Sequence, residues 1–150
     1  MRCYSLRVSG FTLVELVMVL ILIGILSALG IGLFAGRSAF SPLLAQQQLA
    51  SSVLLAQQAG LAGNGADALS VTQASDDFVF TITGGPEPVE FRIAREGTSL
   101  AVSGASFPLS FDDLGRPSLA GNAQFTFTGD STYRVCLSSL GAVYAGNCQP

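Results

Sequence analysis

The longest uninterrupted apolar stretch of the chain lies near its amino terminus, from Leu16 to Gly36, and contains no charged side chain. A helix of about 21 residues with a rise of about 1.5 Å per residue is about 31 Å long, which matches the hydrocarbon thickness of a bilayer. Arg2 and Arg7 precede this stretch without any acidic residue, so the positive-inside tendency predicts a cytoplasmic amino terminus. The sequence therefore predicts a single membrane-spanning helix followed by an extracytoplasmic domain.

Helical spacing continues from Arg37 to about Leu61. Its apolar positions are Phe40, Leu43, Leu44, Leu49, Val53, Leu54 and Leu61, and glutamines at 46, 47, 57 and 58 occupy polar positions. Pro42 lacks a backbone donor and predicts an interruption with a kink near the preceding turn. The glycine-rich stretch Gly60–Gly65 predicts the end of the helix. We therefore expect one long helix whose second half, residues 37–62, is amphipathic and packs on a globular domain.

Residues 63–150 carry mainly strand signals. The alternating segment Asp77–Thr83, a turn rich in glycine and proline, and Val89–Ala94 predict a hairpin. Further strands are predicted at Ser99–Ser103, Phe107–Phe111, Gln124–Thr128 and Tyr133–Leu137. The expected fold class is α+β, with a long amino-terminal transmembrane helix packed on a small antiparallel β-sheet domain.

The junction before the apolar stretch, Gly10–Glu15 with the sequence GFTLVE, closely resembles the amino-terminal signature of type IV pilins and type II secretion pseudopilins. The resemblance implies that residues 1–10 are a leader, which a prepilin peptidase removes by cleavage between Gly10 and Phe11. It also implies N-methylation of Phe11 and anchoring in the inner membrane. Residues 11–36 would then form the transmembrane helix, which also contacts other pilins or pseudopilins in the assembled filament. An ordinary secretory signal has the opposite order, because its cleavage site follows its apolar region.

Glu15 is the acidic residue at the start of the predicted span. A carboxylate there is costly in hydrocarbon unless it lies at the interface or has a partner. One interpretation is an interfacial acid that interacts favourably with the dipole at the helix amino terminus. The resemblance implies another role, in which Glu15 meets the positively charged amino terminus of a neighbouring subunit during filament assembly.

The carboxyl-terminal half carries a second, looser resemblance. Its features are Phe111–Pro117 with the sequence FDDLGRP, the strand segments Gln124–Phe127 and Tyr133–Cys136, and the final segment Gly141–Cys148. Together they are similar to minor pilins and pseudopilins related to GspH and FimT. This group implies a helix packed on two small antiparallel sheets, and a role in initiating, capping or assembling a filament.

Cysteine usage predicts a disulfide. Loss of the leader would remove Cys3 and leave Cys136 and Cys148 as the only thiols in the exported part. Two cysteines in an oxidising compartment are typical of one disulfide bond. A metal site is the alternative, but the chain has no histidine and its exported part has no further cysteine to complete one.

The charge of the chain argues against nucleic acid as a partner. Seven arginines and no lysine stand against ten acidic residues, and loss of the leader would also remove Arg2 and Arg7. Nucleic-acid binding depends on neutralising phosphates, which an acidic, lysine-free surface does poorly. A role in DNA uptake is therefore disfavoured.

The sequence contains no recognisable catalytic constellation. Histidine is absent and no serine lies in a nucleophile-elbow pattern, so we expect neither enzymatic activity nor a cofactor. The adjacent acids at 76–77 and 112–113 could be metal ligands or paired carboxylates, but their strand-edge and turn positions favour solvated side chains. Interspersed acids favour surface ion pairs over a basic strip for the four later arginines, Arg92, Arg95, Arg116 and Arg134.

Three classes of function remain open. The first is a structural subunit of a type IV pilus or, alternatively, of a type II secretion pseudopilus. The second is a binding module displayed on the filament, either an adhesin or a DNA-uptake receptor. The third is a plain single-pass anchor, which leaves the Gly10–Phe11 junction and Glu15 unexplained. The small domain, which shows no evident insertion, favours the structural subunit.

Overall fold

The computed structural model describes residues 12–34, 37–63, 68–85 and 87–149. These residues form two helices and eight strands, and the chain divides into two compact units, residues 1–36 and 37–150. Helix α1 spans Leu13–Phe34 in the first unit, and helix α2 spans Arg37–Leu61 in the second. The strands are β1 Ala68–Gln73, β2 Asp77–Thr83, β3 Val89–Ala94, β4 Ser99–Ser103, β5 Leu109–Ser110, β6 Ala123–Thr128, β7 Thr132–Leu137 and β8 Val143–Ala145.

The strands form two four-stranded antiparallel sheets. One sheet has the order β3-β2-β1-β5 and the other has the order β4-β6-β7-β8. Helix α2 packs against strands of both sheets. The predicted α+β class and the expectation of two small sheets are therefore confirmed, and the helix that packs on the sheets is α2.

The strand predictions differ from the structure mainly at three strands, β1, β5 and β8. The predicted hairpin is confirmed as β2 and β3, whose register pairs Phe80 with Phe91. Strand β5 is shorter than the predicted Phe107–Phe111, although Phe111 also forms an isolated bridge with Pro117. Strands β1 and β8 were not predicted. The alternation of apolar and polar residues in β1 covers only Leu69–Thr72, and β8 has only three residues.

Helix α2 runs through Pro42 without a break, so the predicted interruption there is wrong. The cost of the missing backbone hydrogen bond is offset by packing, since Pro42 is fully buried. A Cβ atom at Gly129 would lie only 3.1 Å from Cγ of Pro42, which shows how closely the β6–β7 turn approaches the helix.

The predicted end of α2 in the glycine-rich stretch is confirmed. The N–H of Ala62 donates to the carbonyl of Gln58 (3.0 Å), and the N–H of Gly63 donates to that of Gly60 (2.9 Å). Gly63 has φ +65°, the left-handed conformation that glycine adopts at low cost.

An aromatic core joins the two sheets. Phe78 and Phe80 alternate along β2, Phe125 and Phe127 alternate along β6, and all four are fully buried. The rings of Phe78 and Phe127 meet edge to face at 5.6 Å, which links one sheet directly to the other. Leu49 and Val53 of α2, along with Ala45 and Ala56, complete the same cluster.

Polar side chains of α2 also hold distant loops. Nε2 of Gln57 donates to the carbonyls of Gly115 (3.0 Å) and Gly141 (2.6 Å), which come from loops far apart in sequence. Oγ of Ser41 donates to the carbonyls of Ala94 (2.9 Å), the last residue of β3, and Arg95 (2.7 Å). Nε2 of Gln46 donates to the carbonyl of Arg134 (3.2 Å). The glutamines at 46 and 57 are buried and paired rather than exposed, so they fix loop positions as well as helix packing.

The predicted disulfide between Cys136 and Cys148 is confirmed, with a Cα–Cα distance of 5.0 Å. It attaches the carboxyl-terminal segment to β7. Gln124 reinforces the attachment, because its Oε1 accepts from the N–H of Cys148 (2.8 Å) and its Nε2 donates to the carbonyls of Val135 (2.9 Å) and Gly146 (3.1 Å).

Replacing Phe127 with alanine should lower the free energy of unfolding by about 3–5 kcal/mol, since it opens a cavity between the sheets. Urea unfolding of the full chain in detergent micelles, followed by circular dichroism, measures the change. The exposed Leu140→Ala variant is the control and should stay within about 0.5 kcal/mol of the parent. Equal urea midpoints for the Phe127→Ala and Leu140→Ala variants would show that Phe127 does not fill the core between the sheets.

Replacing both Cys136 and Cys148 with serine should lower the free energy of unfolding by about 3 kcal/mol, because the unfolded chain regains the entropy of an open loop. The same urea titration measures it, with Cys3→Ser as the matched control. Thiol labelling of the unreduced parent protein provides a direct check. Free reaction of both Cys136 and Cys148 would show that packing alone holds the terminal segment.

Candidate membrane and assembly segment

Among the described residues of the first unit, none covers the apolar surface of helix α1. Its window from Leu13 to Gly30 has a mean hydropathy of 2.6, and none of that window is buried. By contrast, α2 buries one face, which carries Ala45, Leu49, Val53 and Ala56. Glu15 is the one charged residue of α1, whose 22 residues give a length of about 33 Å. Such a helix requires an apolar environment, either lipid or other helices, although a signal sequence has similar length and composition.

Thr12 caps the amino terminus of α1. Its Oγ1 accepts a hydrogen bond from the N–H of Glu15 (3.2 Å), and its carbonyl accepts from the N–H of Leu16 (3.2 Å). The spacing Thr-x-x-Glu before an apolar run is that of a capping box. The motif was not predicted, although the residue spacing alone reveals it.

The cap fixes Glu15 in the first turn of α1. There the partial positive charge of the helix amino terminus favours a carboxylate, and the position of Glu15 at a membrane interface stays a prediction. The assembly interpretation concerns a neighbouring subunit and stays a prediction. Gly10 and Phe11, the predicted cleavage pair, lie outside the described residues.

The acidic pair at 112–113 forms a turn. Oδ1 of Asp112 accepts from the N–H groups of Leu114 (3.0 Å) and Arg116 (2.7 Å), and its Oδ2 accepts from Nε of Arg116 (2.8 Å). The Arg116 N–H, together with the Arg116 guanidinium and the Leu114 N–H, lowers the pKa of Asp112 below its ordinary value. Asp112 therefore stabilises the 112–116 turn, in which the carbonyl of Gly115 also accepts the hydrogen bond from Gln57.

The acidic pair at 76–77 also has local roles. Oδ2 of Asp76 accepts from Oγ of Ser75 (3.2 Å), and the carbonyls of Asp76 and Asp77 accept from the N–H groups of Arg95 and Ala74. Within the described ranges, no three acidic or cysteine side chains converge in a way that could hold a metal ion.

The arginines serve separate parts of the domain. Arg92 pairs with Glu90 (2.5 Å) and Arg116 pairs with Asp112 (2.8 Å), both at exposed positions. Arg95 instead donates to the carbonyls of Thr98 and Ala74, and its guanidinium lies 5.4 Å from the ring centroid of Phe78. NH1 of Arg134 donates to Oδ1 of Asn147 (3.3 Å). Ion pairing, as expected, accounts for Arg92 and Arg116, whereas Arg95 supports the fold through carbonyls and an aromatic ring.

The candidate site is therefore α1 itself: its apolar surface, the Thr12 cap and the first-turn carboxylate of Glu15. No protein-family profile, no curated protein and no solved structure matches this chain. The assignment of function accordingly depends on the residues of this chain and on the chemistry they support.

Proposed function

We propose that this chain is a minor pilin that initiates, caps or assembles a type IV pilus. The observation that carries the proposal is the apolar, uncovered helix α1 with a capped first turn and a single carboxylate, in a chain whose second unit is a disulfide-bonded β domain. Lipid covers α1 before assembly, and helices of neighbouring subunits cover it afterwards. Residues 1–10 are the leader in this proposal, and Phe11 is the methylated amino terminus.

Two features support export of the second unit. A disulfide persists in an oxidising compartment, and the Cys136–Cys148 bond lies in that unit. The arginines at 2 and 7 favour retention of the amino terminus in the cytoplasm. The proposed location is the inner membrane, with one span and a periplasmic domain, and the proposed partners are the prepilin peptidase and other pilins.

The finer assignment comes from the carboxyl-terminal half. Its pattern is similar to that of MshC, a minor pilin of the mannose-sensitive haemagglutinin pilus. In the turn that contains Gly115–Pro117, Asp112 accepts a hydrogen bond from the N–H of Arg116. The disulfide between Cys136 and Cys148 joins β7 to the final segment. These features build a small rigid domain without a catalytic constellation in its sequence, which supports a structural subunit of an MSHA-type pilus over an enzyme.

Co-expression with a prepilin peptidase should shorten the chain by its first ten residues and expose an N-methylated Phe11. Gly10→Val should block the shortening, since the larger side chain disturbs the cleavage position. Intact-mass spectrometry reads both outcomes. Gly24→Val is the matched control, because a Cβ at Gly24 meets nothing within 4 Å and lies inside the apolar helix. A full-length parent chain in the presence of active peptidase would refute the leader assignment.

Glu15→Ala should leave membrane insertion and cleavage intact but reduce incorporation into filaments several-fold, because the neighbouring amino terminus loses its anionic partner. Quantitative immunoblotting of sheared filaments measures incorporation. Thr12→Ala separates the two interpretations of Glu15, as it removes the cap oxygen and keeps the carboxylate. Normal incorporation of Glu15→Ala, or an equal defect in Thr12→Ala, would count against a pairing role.

A further inference from the structure

Strand β3 presents an edge that pairs with no strand among the described residues, and only the carbonyl of Ala94 at its end is occupied, by Oγ of Ser41 (2.9 Å). It lies at the end of its sheet, with β2 on one side only. The other described edges are shorter or occupied: β5 has two residues, β8 has three, and on β4 the amide of Gln73 bonds to both the carbonyl (2.9 Å) and the N–H (3.0 Å) of Leu100. An uncovered edge offers a row of backbone donors and acceptors to another strand.

The sequence of β3 is self-complementary when read in opposite directions. Val89, Glu90, Phe91, Arg92 and Ile93 form an apolar–acidic–aromatic–basic–apolar series centred on Phe91. In an antiparallel pair of two such strands, Phe91 faces Phe91, Glu90 faces Arg92, and Val89 faces Ile93. We propose that two copies of this chain pair through β3 about a twofold axis at Phe91, so that the two sheets become one continuous sheet of eight strands.

Charge selects this register. Residues directly opposite each other in an antiparallel pair lie on the same face of the sheet, and opposite charges there are favourable while like charges are not. A pair centred on Glu90 would set carboxylate against carboxylate, and a pair centred on Arg92 would set two guanidinium groups against each other. A shift by one residue would place the inner face of one copy beside the outer face of the other. Only the register centred on Phe91 gives two complementary ion pairs and keeps both inner faces on one side.

Exposed apolar side chains beside β3 fit the same contact. Phe40 and Leu44 of α2 are 62% and 50% exposed, and with Ile93 they line a groove along this edge. Val89 is 44% exposed. An axis perpendicular to the sheet brings the groove of one copy toward that of the other, which would remove these side chains from water.

This contact is distinct from filament growth. A twofold interface uses the same patch on both copies and closes at two, whereas a filament requires a head-to-tail contact that repeats. The paired state is therefore a form of the subunit outside the filament. It does not depend on the proposed pilin function, and its test does not require filaments.

Charge reversal tests the pairing in the full chain, purified in zwitterionic detergent. Glu90→Arg and Arg92→Glu each create two like-charge pairs across the axis and should weaken dimerisation at least about tenfold. An equimolar mixture of the two variants restores both ion pairs, as does the double variant, so each should dimerise again. Asp113→Arg makes the same change of charge in an exposed turn outside β3 and its groove, and should leave the dimer unchanged. Analytical ultracentrifugation measures the dissociation constants, and differently tagged copies identify the heterodimer by co-purification.

Two results from the parent chain and the single variants would overturn the proposal. One is a parent chain that stays monomeric throughout the micromolar range. The other is a dimer that both single reversals leave unchanged, which would assign the association to the apolar helix α1. Because Glu90 and Arg92 are exposed, the variants should keep the parent circular dichroism spectrum. A mixture that fails to recover heterodimer from well-folded variants would likewise exclude this register.

Discussion

The uncovered apolar surface of α1 is the constraint that the other features of this chain must satisfy. Water cannot surround a helix whose every side is apolar without a large free-energy cost, so lipid or other apolar helices must cover it. A carboxylate at the first turn is tolerated because the helix dipole and the Thr12 cap lie beside it. The same carboxylate becomes useful if a cation from another subunit approaches, which is the basis of the assembly hypothesis.

The second unit has the properties expected of a small domain that must persist outside the cytoplasm. Its buried core consists of aromatic side chains that meet between the two sheets and a row of aliphatic side chains from α2. Buried amides then fix the loops: Gln57 joins two of them to α2, and Gln124 joins the final segment to β6 and β7. The disulfide restricts the unfolded chain. These interactions leave the edge of β3 uncovered, and that edge is where a second copy can bind.

Much of this architecture could be predicted from local patterns. The uncharged run predicted α1, the glycine-rich stretch predicted the end of α2, and strict alternation predicted β2 and β3. Strand β1 was not predicted because its alternation covers only Leu69–Thr72, and its pairing with β2 and β5 extends it to six residues. Burial of Gln57 could not be predicted either, since its acceptors lie 58 and 84 residues away. The continuity of α2 through Pro42 depends on packing against the β6–β7 turn, which no local pattern encodes. Thr12 could have been identified, because its capping role follows from spacing alone.

The most direct test of the proposal that this chain is a filament subunit is whether native filaments contain it. Filaments sheared from cells of the native host, purified away from membrane vesicles and digested for quantitative mass spectrometry, should contain peptides of the second unit at low abundance relative to the main subunit. An inner-membrane protein of similar abundance calibrates contamination. Enrichment over that marker is the predicted result. Recovery of the chain only with the membrane fraction, at the level of the marker, would contradict a role as a filament subunit.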